Sequence, residues 1–351
     1  MVIVVFIKEL SIGGAEKQSL LLTRELQGLY RTLLVVWEPG PPDPSYQKFI
    51  DHYGLNVVYL SGTSPLRFYK FWRLLVREKV THIFNFLLVN NLVGGLAGRL
   101  AAVPHIFGGI RNCELVRSKF LWQRFLHNHI SHHSIFNNYA GARHFKDRGF
   151  RPDKVMVIHN GIDLNGNIPE RSSDGPVIIL TAARFLPQKD HFTALKAIKI
   201  LKMKGYGFVY VIAGYGPGDP DIRRWVKELD VEDRVRIEIS PSDLPGLFAR
   251  SHIYLTTSLK EGLSNSVMEA MAAGLPVVAT DVGDNRYLVK DGVTGTLIPR
   301  GDHQQIADFL ERLLRDNDLR KEMGVNGYER LKSGFSTRQF LNNYLKVLND
   351  A

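Results

Sequence analysis

Two glutamates, Glu261 and Glu269, bracket the segment Gly262, Leu263, Ser264, Asn265, Ser266, Val267 and Met268. Ser264 or Asn265 suits a helix N-cap, and Gly274 followed by Pro276 makes a strong stop. Glu261 therefore falls in a loop, and Glu269 about one turn inside the helix that follows. Between them the helix N-terminus presents N–H groups and the positive end of a dipole, a setting suited to a diphosphate. One carboxylate could accept hydrogen bonds from sugar hydroxyls and the other from ribose hydroxyls, bracketing the phosphates that join them. Taken alone, the same spacing also describes a solvated glutamate before a helix and a second one on its face.

Cations stand upstream. Arg184 and Lys189 occupy a loop between a predicted strand and a helix capped by Asp190. Arg can grip phosphate oxygens bidentately while Lys supplies a point charge, and together they would stabilise negative charge on a departing diphosphate. Near the start, Gly13 and Gly14 precede Glu16 and open a helix after the first strand, where glycine lets backbone approach a ligand or simply makes a tight turn. The turn is neither GxGxxG nor GxxxxGK[ST]. A second glycine-rich turn, from Gly214 to Gly218, reads as a plain loop.

These residues need elements to position them. A chain of 351 residues exceeds the roughly 250–300 at which single cores stop growing, so two domains are expected. Short β-branched runs alternate with helical stretches, the pattern of parallel α/β folding. Strands are expected at 2–7, 32–36, 56–60, 82–86, 105–107 and 155–158, then at 177–183, 208–213, 235–239, 253–256, 276–280 and 296–298. A polar, turn-rich stretch from Asp163 to Pro176 separates the two series. The expected division is an N-terminal Rossmann-like acceptor-binding domain over 1–165, a C-terminal Rossmann-like donor-binding domain over 166–334, and a last helix over 335–351. Two doubly wound sheets in tandem would face one another across a cleft at the C-terminal ends of their strands.

Composition narrows the classes. The chain is 44% hydrophobic and 23% charged, as folded proteins are. Its one cysteine, Cys113, allows no intramolecular disulfide, and a cytoplasmic home is expected. The apolar start is cut short by Lys8 and Glu9 and reads as a strand rather than a signal peptide. No apolar run approaches the ~20 residues of a membrane span. Residues 1–165 hold 20 Lys+Arg against 11 Asp+Glu, so this half carries nearly all of the net charge of +10. Such a surface favours anionic partners, among them nucleic acid, acidic lipid headgroups and phosphorylated substrates.

With these residues assembled, the chain resembles the retaining glycosyltransferases of family 4, which have the GT-B fold. The resemblance rests on the Gly13-Gly14-Ala15-Glu16 turn, the string from His159 to Asp163, Arg184 with Lys189, the block from Glu261 to Ala270, and Asp291 to Gly295, all in the family's order. It implies transfer of a hexosyl group from a nucleoside-diphosphate sugar, with a UDP-sugar favoured, to an acceptor hydroxyl with retention, without cofactor or metal ion. It further implies that Glu261 contacts the donor sugar, Glu269 the ribose, and Arg184 and Lys189 the diphosphate. Backbone amides of residues 262–266 would complete the cradle, and the last helix would cross back onto the first domain. Three positions depart from the family: Ser240-Pro241 where a glycine often ends the strand, Tyr287 where glutamate is common, and Asn138 in place of a frequent serine.

The acceptor side is expected in the first domain, at Glu16, Arg111 and Asn112. A glycan or lipid-linked acceptor of cell-surface polysaccharide assembly is expected, with a soluble small molecule as the alternative. The segment 66–77 sets Arg67, Lys70, Arg73 and Arg77 against Phe68, Phe71, Trp72 and Leu75. This helix could rest on an anionic membrane as a peripheral contact, or pack its aromatic side on a sheet. An NAD-linked oxidoreductase is disfavoured because the first turn lacks GxGxxG. No recognition-helix, zinc or RNA-binding signature accompanies the basic half, so nucleic acid is not an expected partner.

Overall fold

The computed structural model describes residues 1–11, 13–111, 114–164, 166–171 and 175–349. The chain divides into two compact units, Met1–Gly161 with Thr337–Ala351, and Ile162–Ser336.

The first unit runs β1 (Val2–Ile7), α1 (Gly14–Gln27), β2 (Arg31–Val36), α2 (Pro44–Tyr53), β3 (Val57–Tyr59), α3 (Ser64–Arg77), β4 (His82–Phe86), α4 (Leu87–Leu100), β5 (His105–Ile110), α5 (Arg117–Phe125), β6 (His133–Phe136), α6 (Tyr139–Lys146) and β7 (Val155–Val157). Its sheet is wholly parallel, in the order β3-β2-β1-β4-β5-β6-β7, with Val5 paired to Leu34 on one side and Phe84 on the other. In β1 five consecutive apolar residues are buried, because a parallel sheet is covered on both faces. Ile3, Val5 and Ile7 pack on one face with Leu21 and Leu26 of α1, while Val4 and Phe6 pack on the other with Phe71 and Leu75 of α3. The strand order reverses between β1 and β4, which puts the turn at Gly13 and the end of β4 at the switch point of this sheet.

One strand escaped the sequence reading. β6 has only four residues, and its start is hidden among His129, Ser131, His132 and His133. The α3 helix turns its aromatic side inward: Phe71, Leu74 and Leu75 are buried, and the Arg67 guanidinium stacks 5.0 Å over the Trp37 ring.

The second unit runs β8 (Val177–Ala182), α7 (His191–Met203), β9 (Phe208–Gly214), α8 (Asp219–Glu228), β10 (Val235–Ile239), α9 (Leu244–Arg250), β11 (Ile253–Thr256), α10 (Asn265–Ala272), β12 (Val277–Thr280), α11 (Asn285–Leu288), β13 (Gly295–Ile298), α12 (His303–Arg315) and α13 (Asn317–Gly334). Its parallel sheet has the order β10-β9-β8-β11-β12-β13, reversing between β8 and β11. Ile179, Ile212 and Leu255 pack toward α7 and α12, and Leu180, Tyr254 and Val277 toward α10.

The units divide between Gly161 and Ile162 and again between Ser336 and Thr337, where the sequence suggested 165/166 and 334/335. Gly161 is tied to Gln18 of α1 through both its N–H and its carbonyl, each at 2.9 Å. The next residue, Ile162, donates to the Phe335 carbonyl at 2.9 Å and bridges Ser336. After that point α14 (Thr337–Asn349) returns to the first unit, where Phe340 and Tyr344 join the core beneath α1. Among the described residues no helix is long and apolar enough to cross a membrane.

Candidate active site

At the second unit's switch point, β11 ends in a run of hydroxyls: Thr256, Thr257 and Ser258 are all buried. Thr257 fastens the preceding loop by donating to the carbonyls of Lys189 (3.1 Å) and Asp190 (2.9 Å). Ser258 accepts a hydrogen bond at its carbonyl from the Thr280 hydroxyl at 2.6 Å and donates its own hydroxyl to Glu261 Oε1 at 2.7 Å. The same carboxylate oxygen meets Lys189 Nζ at 2.5 Å, with side-chain exposures of only 13% and 12%. Glu261 is thus fixed from two sides by residues whose backbones are themselves fastened.

The loop beyond Glu261 is anchored by Leu263, which is buried in the core under α10. Ser264 occupies the N-cap position, but its hydroxyl faces that of Ser266 at 3.2 Å and caps no backbone N–H. Asn265 opens the helix, and Glu269 lies half-buried one turn inside it. The turn after β12 closes over the loop: Asp284 N–H donates to the Gly262 carbonyl at 2.9 Å, and a Cβ at Gly283 would lie 2.1 Å from the Glu261 carbonyl oxygen. Only glycine allows that approach, at a φ of +55°. Beneath the constellation Tyr254 is fully buried and donates to the Ala182 carbonyl at 3.2 Å. Burial raises its phenol above the ordinary range, a hydrogen bond with Ser266 draws it back, and the nearby carboxylates of Glu261 and Glu269 add to the rise.

Arg184 extends, exposed, from the loop that also carries Lys189. That loop is pinned through the buried Phe185, whose N–H donates to the Tyr215 carbonyl at 2.7 Å and whose carbonyl accepts from Gly218 at 2.9 Å. A Cβ at Gly214 would strike the Ala183 carbonyl at 1.9 Å, so the glycines of this second turn serve the seating of the Arg184 loop. The helix after it is capped by Asp190, whose carboxylate accepts from the Thr193 N–H. Ser240, just after β10, has a φ of +46°, the left-handed conformation that glycine adopts more readily.

The other predicted residues belong to the first unit. Gly13 caps α1 in an extended conformation and exchanges hydrogen bonds with the Tyr46 hydroxyl, and Gly14 begins the helix. A Cβ at Gly13 would lie 2.1 Å from Glu16 Oε2, so this glycine makes room for the Glu16 carboxylate. Burial raises the Glu16 carboxyl above its ordinary value; among smaller influences Glu9 raises it further and Arg111 draws it down. Arg111 donates to Asn160 Oδ1 at 2.5 Å, stacks 4.7 Å over the Phe86 ring and is hydrogen-bonded with Tyr344 of α14. It therefore holds the returning helix in place, a role its sequence position did not suggest. Asn112 lies outside the described residues, as does Cys113. Asn138 caps α6, accepting from the Gly141 N–H at 2.6 Å, a capping role that serine fills equally well. Among the described residues no group of three or more His, Cys, Asp or Glu is placed to hold a metal ion.

Residues 167–330 match the model of the family described as glycosyl transferases group 1, and residues 12–165 that of glycosyltransferase family 4. The chain belongs to glycosyltransferase family 4. This family 4 chain is 29% identical over 219 residues to a putative colanic acid biosynthesis glycosyltransferase, WcaL, of Salmonella typhimurium, covering 59% of this chain and 53% of the relative. It is 24% identical over 289 residues to the UDP-Gal:alpha-D-GlcNAc-diphosphoundecaprenol alpha-1,3-galactosyltransferase of Escherichia coli, covering 76% and 74%. The chain spans about half the length of the first curated relatives it matches. Its fold is GT-B: it superimposes on Anabaena HepE, solved in complex with UDP-glucose, with a TM-score of 0.86 over 100% of both chains at 19% identity.

Proposed function

We propose that this chain is a glycosyltransferase that moves a hexosyl group from a UDP-sugar to a hydroxyl of a glycan or lipid-linked acceptor in cell-surface polysaccharide assembly, with retention and without a metal ion. The observation that carries the reading is the Lys189–Glu261 pair, held by Ser258 beside the N-terminus of α10. In this reading the carboxylate of Glu261 accepts hydrogen bonds from the donor sugar, and Glu269 takes the ribose. Lys189 and Arg184 take the diphosphate, where their charge offsets the negative charge that builds as the bond from the anomeric carbon to the β-phosphate oxygen breaks. N–H groups at the start of α10 point to the same phosphates. Support for the nucleotide and the acceptor class comes from relatives named for colanic acid and diphosphoundecaprenol-linked substrates and from the UDP-glucose complex of HepE.

A thermal-shift panel of UDP-, GDP-, ADP- and dTDP-sugars tests the donor: selective stabilisation by one UDP-sugar is expected. No response to any of the four would refute the reading. Proton NMR of the product reads the anomeric configuration directly, and an inverted product would refute retention. Turnover in EDTA is expected to match turnover without it, and loss on chelation would overturn the metal-free assignment.

A further inference from the structure

Helix α4 faces the wrong way for a solvated helix. It buries Asn90, Asn91, Gly94 and Gly98, while Val89, Leu92, Leu96 and Leu100, at helical spacing along one face, are exposed. The glycines hold this orientation. A Cβ at Gly94 would lie 1.8 Å from Asn85 Oδ1, and one at Gly98 would lie 2.9 Å from Ile106 and 3.0 Å from Ile83. The helix backbone is seated directly on β4 and β5, and no rotation could bury the aliphatic stripe without unseating it.

The patch continues on both sides. Asn91 donates to Gln123 of α5 at 3.0 Å, and Arg99 to the Ile130 carbonyl just beyond it at 2.9 Å. On α5 the side chains of Leu121, Trp122 and Phe125 are exposed, Trp122 by 60%. On the opposite flank α3 packs against α4 and exposes Tyr69 and Val76. Monomeric surfaces rarely gather such residues in one place.

Charge selects the occupant. The three helices, of 14, 14 and 9 residues, carry eight Lys and Arg and not one Asp or Glu. A chain with 35 acidic residues in 351 would place three or four in a stretch of that length. A second copy of the chain would set like charge against like charge across a two-fold interface, which disfavours self-association. An anionic bilayer answers both features, since acyl chains accept the aliphatic stripe and headgroup phosphates pair with the cations around it.

We propose that the α3–α4–α5 face of the first unit docks in the plane of an anionic lipid surface, with α4 and α5 seated at the boundary between headgroups and acyl chains. This surface involves none of the donor-site residues, so its failure and that of the transferase reading are separate outcomes.

The test is flotation of the full chain with vesicles of phosphatidylcholine alone and of phosphatidylcholine mixed with phosphatidylglycerol. Binding is expected only to the mixed vesicles and should weaken as ionic strength rises. Arg73→Glu, Arg117→Glu and Lys119→Glu should each weaken it at least fivefold. The pair Leu96→Gln with Trp122→Ser should weaken it tenfold or more while leaving the urea midpoint unchanged, because both side chains are exposed. Equal binding to neutral vesicles, or indifference to these variants, would overturn the proposal. So would light scattering showing a dimer that Leu96→Gln with Trp122→Ser disperses, since the patch would then belong to a second copy.

Discussion

The Lys189–Glu261 pair can be measured as a thermodynamic cycle. Removing one partner of a fully buried ion pair costs about 3–5 kcal/mol, and an exposed pair is worth about 0.2–1 kcal/mol. Here 13% and 12% of the two side chains are exposed, and Ser258 supplies a second donor to the same carboxylate oxygen. Lys189→Met should therefore fall between these limits, at about 2 kcal/mol. Glu261→Gln should cost somewhat less, because a lone ammonium at the mouth of a loop finds water more easily. The double variant removes both charges and should be close to the parent chain, so the coupling approaches the sum of the two single costs, about 3 kcal/mol. Urea unfolding followed at Trp225, the only tryptophan of the second unit, isolates the relevant transition once Trp37, Trp72 and Trp122 are replaced by phenylalanine. Repeating the cycle with saturating UDP should shrink the coupling, because the diphosphate then shares the Lys189 charge. UDP affinity itself should fall about 10- to 100-fold in Lys189→Met, the worth of a hydrogen bond to a charged group. Single variants additive within about 0.5 kcal/mol would refute the pair, and unchanged UDP affinity would refute the phosphate role.

Burial lowers His127 and His191 to about 4, so both imidazoles are neutral in the folded chain at pH 7. An unfolded histidine takes its proton near pH 6.5, so the unfolded state binds more protons between pH 6.5 and 4 and stability falls as pH drops through that window. The loss is on the order of 3 kcal/mol per ring, and a urea midpoint that stays flat from pH 7 to 4.5 would refute the assignment. Gly283→Ala should cost at least about 2 kcal/mol and weaken UDP binding, because its Cβ would strike the Glu261 carbonyl, whereas Gly205→Ala, at a φ of +79° in open space, should cost about 1 kcal/mol. Equal costs would show that backbone conformation alone, and not the collision, governs Gly283. Tyr344→Phe removes a partner of Arg111, and amide exchange over residues 337–349 should quicken about tenfold; unchanged exchange would show that Arg111 does not hold α14.

The alternating architecture could be read from the sequence because parallel strands buried on both faces appear as unbroken apolar runs, as in residues 2–7 and 277–279. β6 could not, since four residues beginning among histidines present no such run. The α10 block was readable through its stop signal, Gly274 and Pro276, and its glutamates sit where that signal puts them. The cap was harder, because serine competence for capping does not decide between a backbone N–H and a neighbouring hydroxyl, and Ser264 has turned to Ser266. Helix α4 defeats binary patterning altogether: its Leu and Val periodicity marks a face correctly but implies the wrong side, since the glycines on the other side fix which face meets the sheet.

What holds the candidate site in place was written in residues without chemical distinction. Thr256, Thr257 and Ser258 read as the end of a strand, yet two of them fasten the cation loop and the first glutamate to one another. The signal was available in principle. Three consecutive hydroxyls at the C-terminal end of a central strand are costly to bury unless each has a partner, and the nearest backbone in need of partners is the loop after the adjacent strand. The same accounting separates Arg111 from Arg184. Both are arginines in loops after strands, but Arg111 spends its guanidinium on Asn160, Phe86 and Tyr344, whereas Arg184 keeps its guanidinium exposed on a loop pinned by Phe185. A residue whose guanidinium is gripped within its own unit positions structure, and one held out from a fastened loop is placed to meet a ligand. On that ground Arg184 groups with Lys189 in the proposed donor site, and Arg111 counts first as the clamp of α14 and only then as a candidate for the acceptor.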